Sequence, residues 1–201
     1  MKAFIGLVCA ALLGLAFNAP AAESSPDALV KSTTDEVLAV IRANKDKRVL
    51  RELAEKKVLP NFDFRAMTQL AVGRHWREAS PQQQKALEDA FRTLLVNTYT
   101  ASLSSATTGR ETVDIKPAQA KGNEAVVRTV VRAPGRQPLS VDYAMTKQAD
   151  GWKVYDVVVE NLSLVTNYRS TFASEIGRSG IDGLIKALEA KNREIAETGK
   201  G

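Results

Sequence analysis

Leu139-Ser140-Val141-Asp142-Tyr143-Ala144-Met145-Thr146-Lys147-Gln148-Ala149-Asp150-Gly151-Trp152-Lys153-Val154-Tyr155-Asp156-Val157-Val158-Val159 is the stretch that decides the fold class. Leu139 to Thr146 alternates apolar and polar residues, the period of a strand with one face turned inward. Trp152 to Val159 is almost wholly apolar. Asp150-Gly151 between them is the dipeptide of a two-residue type I′ hairpin turn. Upstream, Thr112 to Lys116 alternates and Glu124 to Arg132 is rich in Val, with Pro117 to Asn123 and Ala133 to Pro138 as separators. Four strands joined by short connections predict an antiparallel meander. In the last strand, simple alternation sets Val154 and Val158 on one face and Tyr155, Val157 and Val159 on the other. A sheet with one solvated face shows polar residues at alternate positions. This strand does not, so either helices cover both faces or one face lines a cavity.

Helical periods occupy the flanks. Ser25-Pro26 supplies an N-cap and an N1 proline for a helix whose inner face is Leu29, Val30, Thr33, Val37, Val40 and Ile41. A second helix is expected over Lys47 to Lys57, stopped by Pro60. Asp63 caps a third, bearing Phe64, Met67, Leu70 and Ala71 and ending at Gly73. Ser80-Pro81-Gln82-Gln83 is a capping box ahead of Leu87, Ala90, Phe91, Leu94, Leu95, Thr98 and Tyr99. Ser163 caps a helix with Leu164, Val165, Tyr168, Phe172 and Ile176, and another follows Gly177 and Gly180. The predicted fold class is α+β, a four-stranded antiparallel sheet with flanking helices.

The N-terminus reads as a leader. Lys2 precedes an uncharged apolar run, Ala3 to Phe17, and Ala19-Pro20-Ala21 matches a signal-peptidase site. A cleaved signal peptide is expected over 1–22, a single domain over 23–195 and a frayed tail over 196–201. A membrane anchor needs about 20 apolar residues, and this run is shorter. Cleavage removes the only cysteine, Cys9, and lowers the formal charge from +5 to +4, because Lys2 is the one charged residue lost. An exported chain without cysteine relies on its core, and this one points to the bacterial periplasm.

Composition excludes several functions. The charges are mixed, and the longest basic cluster, Lys45 to Arg51, is interrupted by Asp46, so no nucleic-acid arm is present. One cysteine and one histidine cannot assemble a structural zinc site. There is no Gly-x-Ser-x-Gly elbow, no phosphate loop and no Ser-His-Asp set. His75 reads as a helix-terminal histidine. Asp63, Asp142 and Asp156 are the carboxylates that could serve as a buried base in a small-molecule isomerase with this order of elements. Their plainer role is hydrogen bonding to a cap or an arginine. Phe62, Phe64, Met67, Phe91, Tyr99, Tyr143, Trp152, Tyr155, Tyr168 and Phe172 fit either a pocket wall or an ordinary core, and spacing does not separate the two.

A set of ordered motifs carries a family resemblance. Val58-Leu59-Pro60-Asn61-Phe62-Asp63-Phe64 is followed by Met67, Leu70-Ala71-Val72-Gly73 and Trp76-Arg77, then by Phe91-Arg92-Thr93-Leu94-Leu95 with Tyr99. Trp152-Lys153-Val154-Tyr155-Asp156-Val157, Glu160-Asn161-Leu162-Ser163-Leu164-Val165-Thr166-Asn167-Tyr168-Arg169 and Gly180-Ile181-Asp182-Gly183-Leu184-Ile185 complete them. Together they resemble the MlaC family of periplasmic phospholipid-binding proteins, also called toluene-tolerance auxiliary proteins. Asn161 stands where the family pattern expects Gly.

The resemblance implies a soluble, monomeric periplasmic carrier, not an enzyme, that holds phospholipid acyl chains in an apolar pocket between sheet and helices. It implies no cofactor, no metal and no nucleic-acid partner. Partners would be phospholipid, an outer-membrane lipoprotein–porin complex and an inner-membrane ABC transporter with a ring-shaped substrate-binding subunit, in the upkeep of outer-membrane lipid asymmetry. The expected pocket lining, taken from inward positions, is Phe62, Phe64, Met67, Leu70, Phe91, Leu94, Leu95, Val127, Val141, Tyr143, Val154, Val158, Val165, Tyr168 and Phe172. Arg74, Arg77, Arg169 and Lys153 are candidates for docking or for lipid head groups.

Overall fold

A computed structural model describes residues 25–43, 46–106 and 109–198. The leader expected over 1–22 lies outside the described residues. Helix α1 (Pro26–Ala43) begins as its sequence requires, with Ser25 Oγ accepting from Ala28 N at 3.3 Å. Helix α2 (Lys47–Leu53) is shorter than expected. It widens into a π-type turn over Ala54–Val58 and tightens to 3-10 over Leu59–Asn61, where Pro60 ends regular helix. Asp63 caps α3 (Phe64–Val72) through Ala66 N at 2.8 Å, and a 3-10 segment, Gly73–Arg77, follows. The capping box before α4 (Pro81–Ala106) is complete. Ser80 Oγ accepts from Gln83 N at 3.2 Å, and Gln83 Oε1 accepts from Ser80 N at 3.0 Å.

The sheet has six strands rather than four: β1 (Thr112–Ile115), β2 (Gln119–Lys121), β3 (Glu124–Arg132), β4 (Leu139–Gln148), β5 (Gly151–Val159) and β6 (Leu162–Ser163). Their order is β1-β3-β4-β5-β6, with β2 also paired to β3, and all the ladders are antiparallel. The two unexpected strands are three and two residues long, too short to show a period.

The central hairpin forms, but its turn is displaced by one residue. Gln148 pairs with Gly151, so Ala149-Asp150 are the central residues and the positive φ of 115° falls on Gly151. The left-handed pair is instead Glu160-Asn161, at φ 48° and 65°, between β5 and β6. Asn tolerates that conformation better than most residues, so Asn161 can serve at a position where the resemblance leads one to expect Gly.

A register shift between Ala144 and Met145 overturns simple alternation in β5. Met145 faces Val154 while Ala144 faces Asp156, leaving Tyr155 as the extra residue of a bulge. Val154 therefore shares a face with Val157 and Val159, and Val158 turns to the opposite face with Asp156.

After β6, Ser163 Oγ accepts from Thr166 N at 2.9 Å and opens a 3-10 turn, Thr166–Tyr168, rather than a full helix. Helix α5 (Arg169–Thr198) joins the two helices expected here across a kink at Gly180, whose φ of 72° and ψ of −177° are not helical. Ile195 is buried, and α5 continues through Thr198, beyond the fraying expected from 196.

Two apolar cores result. The helical core unites α3, α4 and α5 around Met67, Trp76, Leu87, Phe91, Leu95, Phe172, Ile176 and Leu184. The sheet core gathers Ala125, Val127, Val141, Met145, Trp152, Val154 and Val157 on one face, with Leu29 and Val30 of α1 packed against it. Arg42 fastens the other end of α1, donating to Gly109 O at 2.9 Å and Glu111 O at 3.1 Å.

Candidate functional site

The two cores meet along β5 through two segments of chain. The first is Phe62-Asp63. Phe62 forms a parallel bridge with Val154 and packs against both cores, and Asp63 N donates to Val154 O at 2.8 Å. The side chain of Asp63 caps α3 and accepts from Gln148 Nε2 at 2.5 Å. The second is Leu164-Val165. Leu164 packs on the sheet core and Val165, fully buried, belongs to the helical core. Adjacent residues thus serve opposite cores.

Asp156 fixes this second crossing. It is buried in β5, where its Oδ1 accepts from Val157 N at 2.8 Å and from Val165 N at 3.3 Å, and its Oδ2 accepts from Ser163 Oγ at 2.6 Å. A buried carboxylate needs such donors to offset lost hydration. The other two carboxylates considered as bases are also engaged, Asp63 as a cap and Asp142 opposite Arg128 at 3.7 Å. Each of the three thus has a partner within the fold. Among the described residues, no group of three His, Cys, Asp or Glu side chains is placed to hold a metal.

The expected pocket residues divide between the cores. Phe64, Met67, Leu70, Phe91, Leu94, Leu95, Val165, Tyr168 and Phe172 belong to the helical core. Val127, Val141, Tyr143 and Val154 belong to the sheet core, and Phe62 to both. Val158 is in neither, because the bulge turns it away. Phe91, Tyr168 and Phe172 form an aromatic triad, with centroids 5.1 Å apart for both Phe91 pairs and 5.5 Å for Tyr168–Phe172. Phe62 stacks on Phe64 at 5.9 Å, and the guanidinium of Arg92 lies 5.4 Å from the centre of the Phe64 ring. Burial raises the phenol pKa of Tyr143, and that of Tyr99 is pushed up to about 12 by burial and by the neighbouring Tyr168 phenol.

Of the four candidate basic residues, Lys153 is tied down. Its Nζ donates to Pro60 O at 2.8 Å and sits 2.9 Å from Asp150, bracing the first crossing from outside. Arg74, Arg77 and Arg169 are exposed. What periodicity could not reveal is the division into two cores, or the tie made by Asp156, since both depend on contacts distant in sequence.

This architecture has known counterparts. The family model described as MlaC protein matches residues 31–190. The chain belongs to the MlaC family. Among MlaC relatives, the intermembrane phospholipid transport system binding protein MlaC of Haemophilus influenzae is 22% identical over 84% of this chain and 82% of its own. The toluene tolerance protein ttg2D of Pseudomonas putida is 26% identical over 88% of this chain and 84% of its own. A solved structure of the phospholipid-binding protein from Ralstonia solanacearum, in complex with a phospholipid, superposes with a TM-score of 0.77 at 35% identity. It covers 86% of this chain and 99% of that one. Among the described residues no helix is long and apolar enough to cross a membrane.

Proposed function

We propose that this chain is a soluble periplasmic carrier that takes up phospholipid and moves it between an outer-membrane lipoprotein–porin complex and an inner-membrane ABC transporter. The observation that carries the reading is the likeness, over most of both chains, to a solved structure that holds a phospholipid. Each acyl CH₂ exposed to water costs about 0.8 kcal/mol, so a two-chain lipid costs on the order of 25 kcal/mol to move unprotected. Apolar walls lower that cost to the small difference between two oily surroundings.

The two facing cores supply such walls. The acyl chains lie between the helical side (Phe64, Leu70, Leu94 and Tyr168) and the sheet side (Val127, Val141, Tyr143 and Val154), with Phe62 at the junction. The residues around that junction are half-buried, including Phe62, Phe64, Leu70, Tyr143 and Tyr168. Nothing in this work requires a reacting group, which agrees with the structural engagement of Asp63, Asp142 and Asp156.

Native mass spectrometry of freshly purified protein, followed by lipid extraction, tests the reading. The expected result is bound phospholipid near one per chain, lost when Leu94 and Tyr143 are both replaced by Glu while the fold is retained. Purification without lipid, together with no uptake from vesicles, would overturn it.

A further inference from the structure

One corner of the molecule carries charge that the protein itself does not neutralise. Gly73 ends α3 at φ +63°, and a Cβ on it would lie 3.1 Å from Arg169 Nε and 3.2 Å from its Nη2. The guanidinium of Arg169 thus lies close over the Cα of Gly73, where an added Cβ would press on it. Arg74 follows directly, and Arg77 closes the same 3-10 segment. Among the described residues, none of these three guanidinium groups has a carboxylate or carbonyl partner. Arg42, Arg65, Arg128, Arg132 and Arg178 all have one. The nearest acid in sequence, Glu78, is engaged by His75 Nδ1 at 2.7 Å.

The corner also lies where apolar surface gives way to charge. Arg169 follows Tyr168, whose ring packs against Phe91 and Phe172. An amphiphile whose chains lie against Tyr168, the half-buried member of that triad, would bring its polar group to the start of α5. Guanidinium suits a phosphodiester better than ammonium does, because its fork of donors meets two oxygens at once.

We infer that Arg169, with Arg74 and Arg77, receives the phosphate of the bound lipid, and that Gly73 is the residue that positions Arg169. This rests on the carrier reading and deepens it.

The test compares phosphatidylglycerol with diacylglycerol of the same chains, which lacks the phosphate, in uptake by the full chain. The native protein should prefer the phospholipid by about tenfold or more. Arg169→Gln and the double variant Arg74→Gln/Arg77→Gln should each lower that preference while still taking up diacylglycerol. Gly73→Ala, whose Cβ pushes that guanidinium aside, should lower the preference in the same direction. Gly122→Ala, at a similar φ of +62° but with open space around it, should leave the preference unchanged. Equal preference in native and variant proteins would overturn the inference and leave the carrier reading standing. Uptake of neither lipid would overturn both. Saturation by inorganic phosphate alone at micromolar concentration would assign the corner to a free anion and reject the lipid phosphate.

Discussion

The helical core and the sheet core differ in how they close. The helical core surrounds Phe91 and Leu87 completely, both at 0% exposure, and Phe91 meets Tyr168 and Phe172 edge to face. The sheet core is closed only at one end. Val127 and Met145 are fully buried, but the same face continues through half-buried Val131 and Val159 to Leu139 at 40% and Leu162 at 72% exposure. One half has a closed centre, with Phe64, Leu70 and Tyr168 half-buried only at its edge. The other is a surface partly finished by α1, with apolar area remaining for something else to cover.

Each core contains one of the two tryptophans, Trp76 in the helices and Trp152 in the sheet, so each can be followed separately. The largest effect is expected from Phe91→Ala, which removes the centre of the triad. It should cost about 3–5 kcal/mol in urea unfolding, and with Trp152→Phe as background the signal comes from the helical half. A loss below about 1 kcal/mol would show that this half is not closed as described.

Asp156→Ala should cost about 1–3 kcal/mol, because Val165 N and Ser163 Oγ lose their acceptor at a buried joint. It should also pull apart the transitions read by Trp76 and Trp152, which coincide in a two-state protein. Coincident transitions in the variant would mean that the two cores are coupled by more than this crossing.

The third effect depends on pH. The Tyr99 phenol, pushed up to about 12 by burial and by Tyr168, keeps its proton in the folded state where the unfolded chain loses it near 10. Stability is therefore full below pH 10 and falls as pH rises toward 12. Urea midpoints at about pH 9 and about pH 11 should differ less in Tyr99→Phe than in the native protein. An unchanged difference would remove Tyr99 from the helical interior. The smallest effect belongs to the open end, where Leu162→Ser should change stability by less than about 0.5 kcal/mol.

The same contrast explains what could be read from sequence. Elements governed by neighbours in the chain were legible: the Ser80–Gln83 capping box, the Asp63 cap, the Gly73 stop and the long face of α4 all rest on local rules. The hairpin was legible, but its turn was not, because Gly151 takes its positive φ one position later than a type I′ turn requires. The faces of β5 were misread because a bulge changes register without leaving a mark on composition. Lys153 reads from sequence as a docking or head-group candidate because Pro60, its partner, is distant in the chain. Candidate lining residues were identified as apolar and inward, yet their assignment to two separate cores depends on where α3 and α5 dock. Docking is a property of whole faces, not of spacing within one element.

The segments that close along β5 have one more consequence. β6 occupies the rim beside Val158 and Val159, while Phe62-Asp63 occupies the rim beside Val154. A valine-rich strand with a bare rim is a template for other copies of the chain to join, the first step toward cross-β aggregation. Here the template is already filled by the chain's own backbone. The protein can keep its greasiest strand at the heart of the molecule without offering those stretches of rim to another copy.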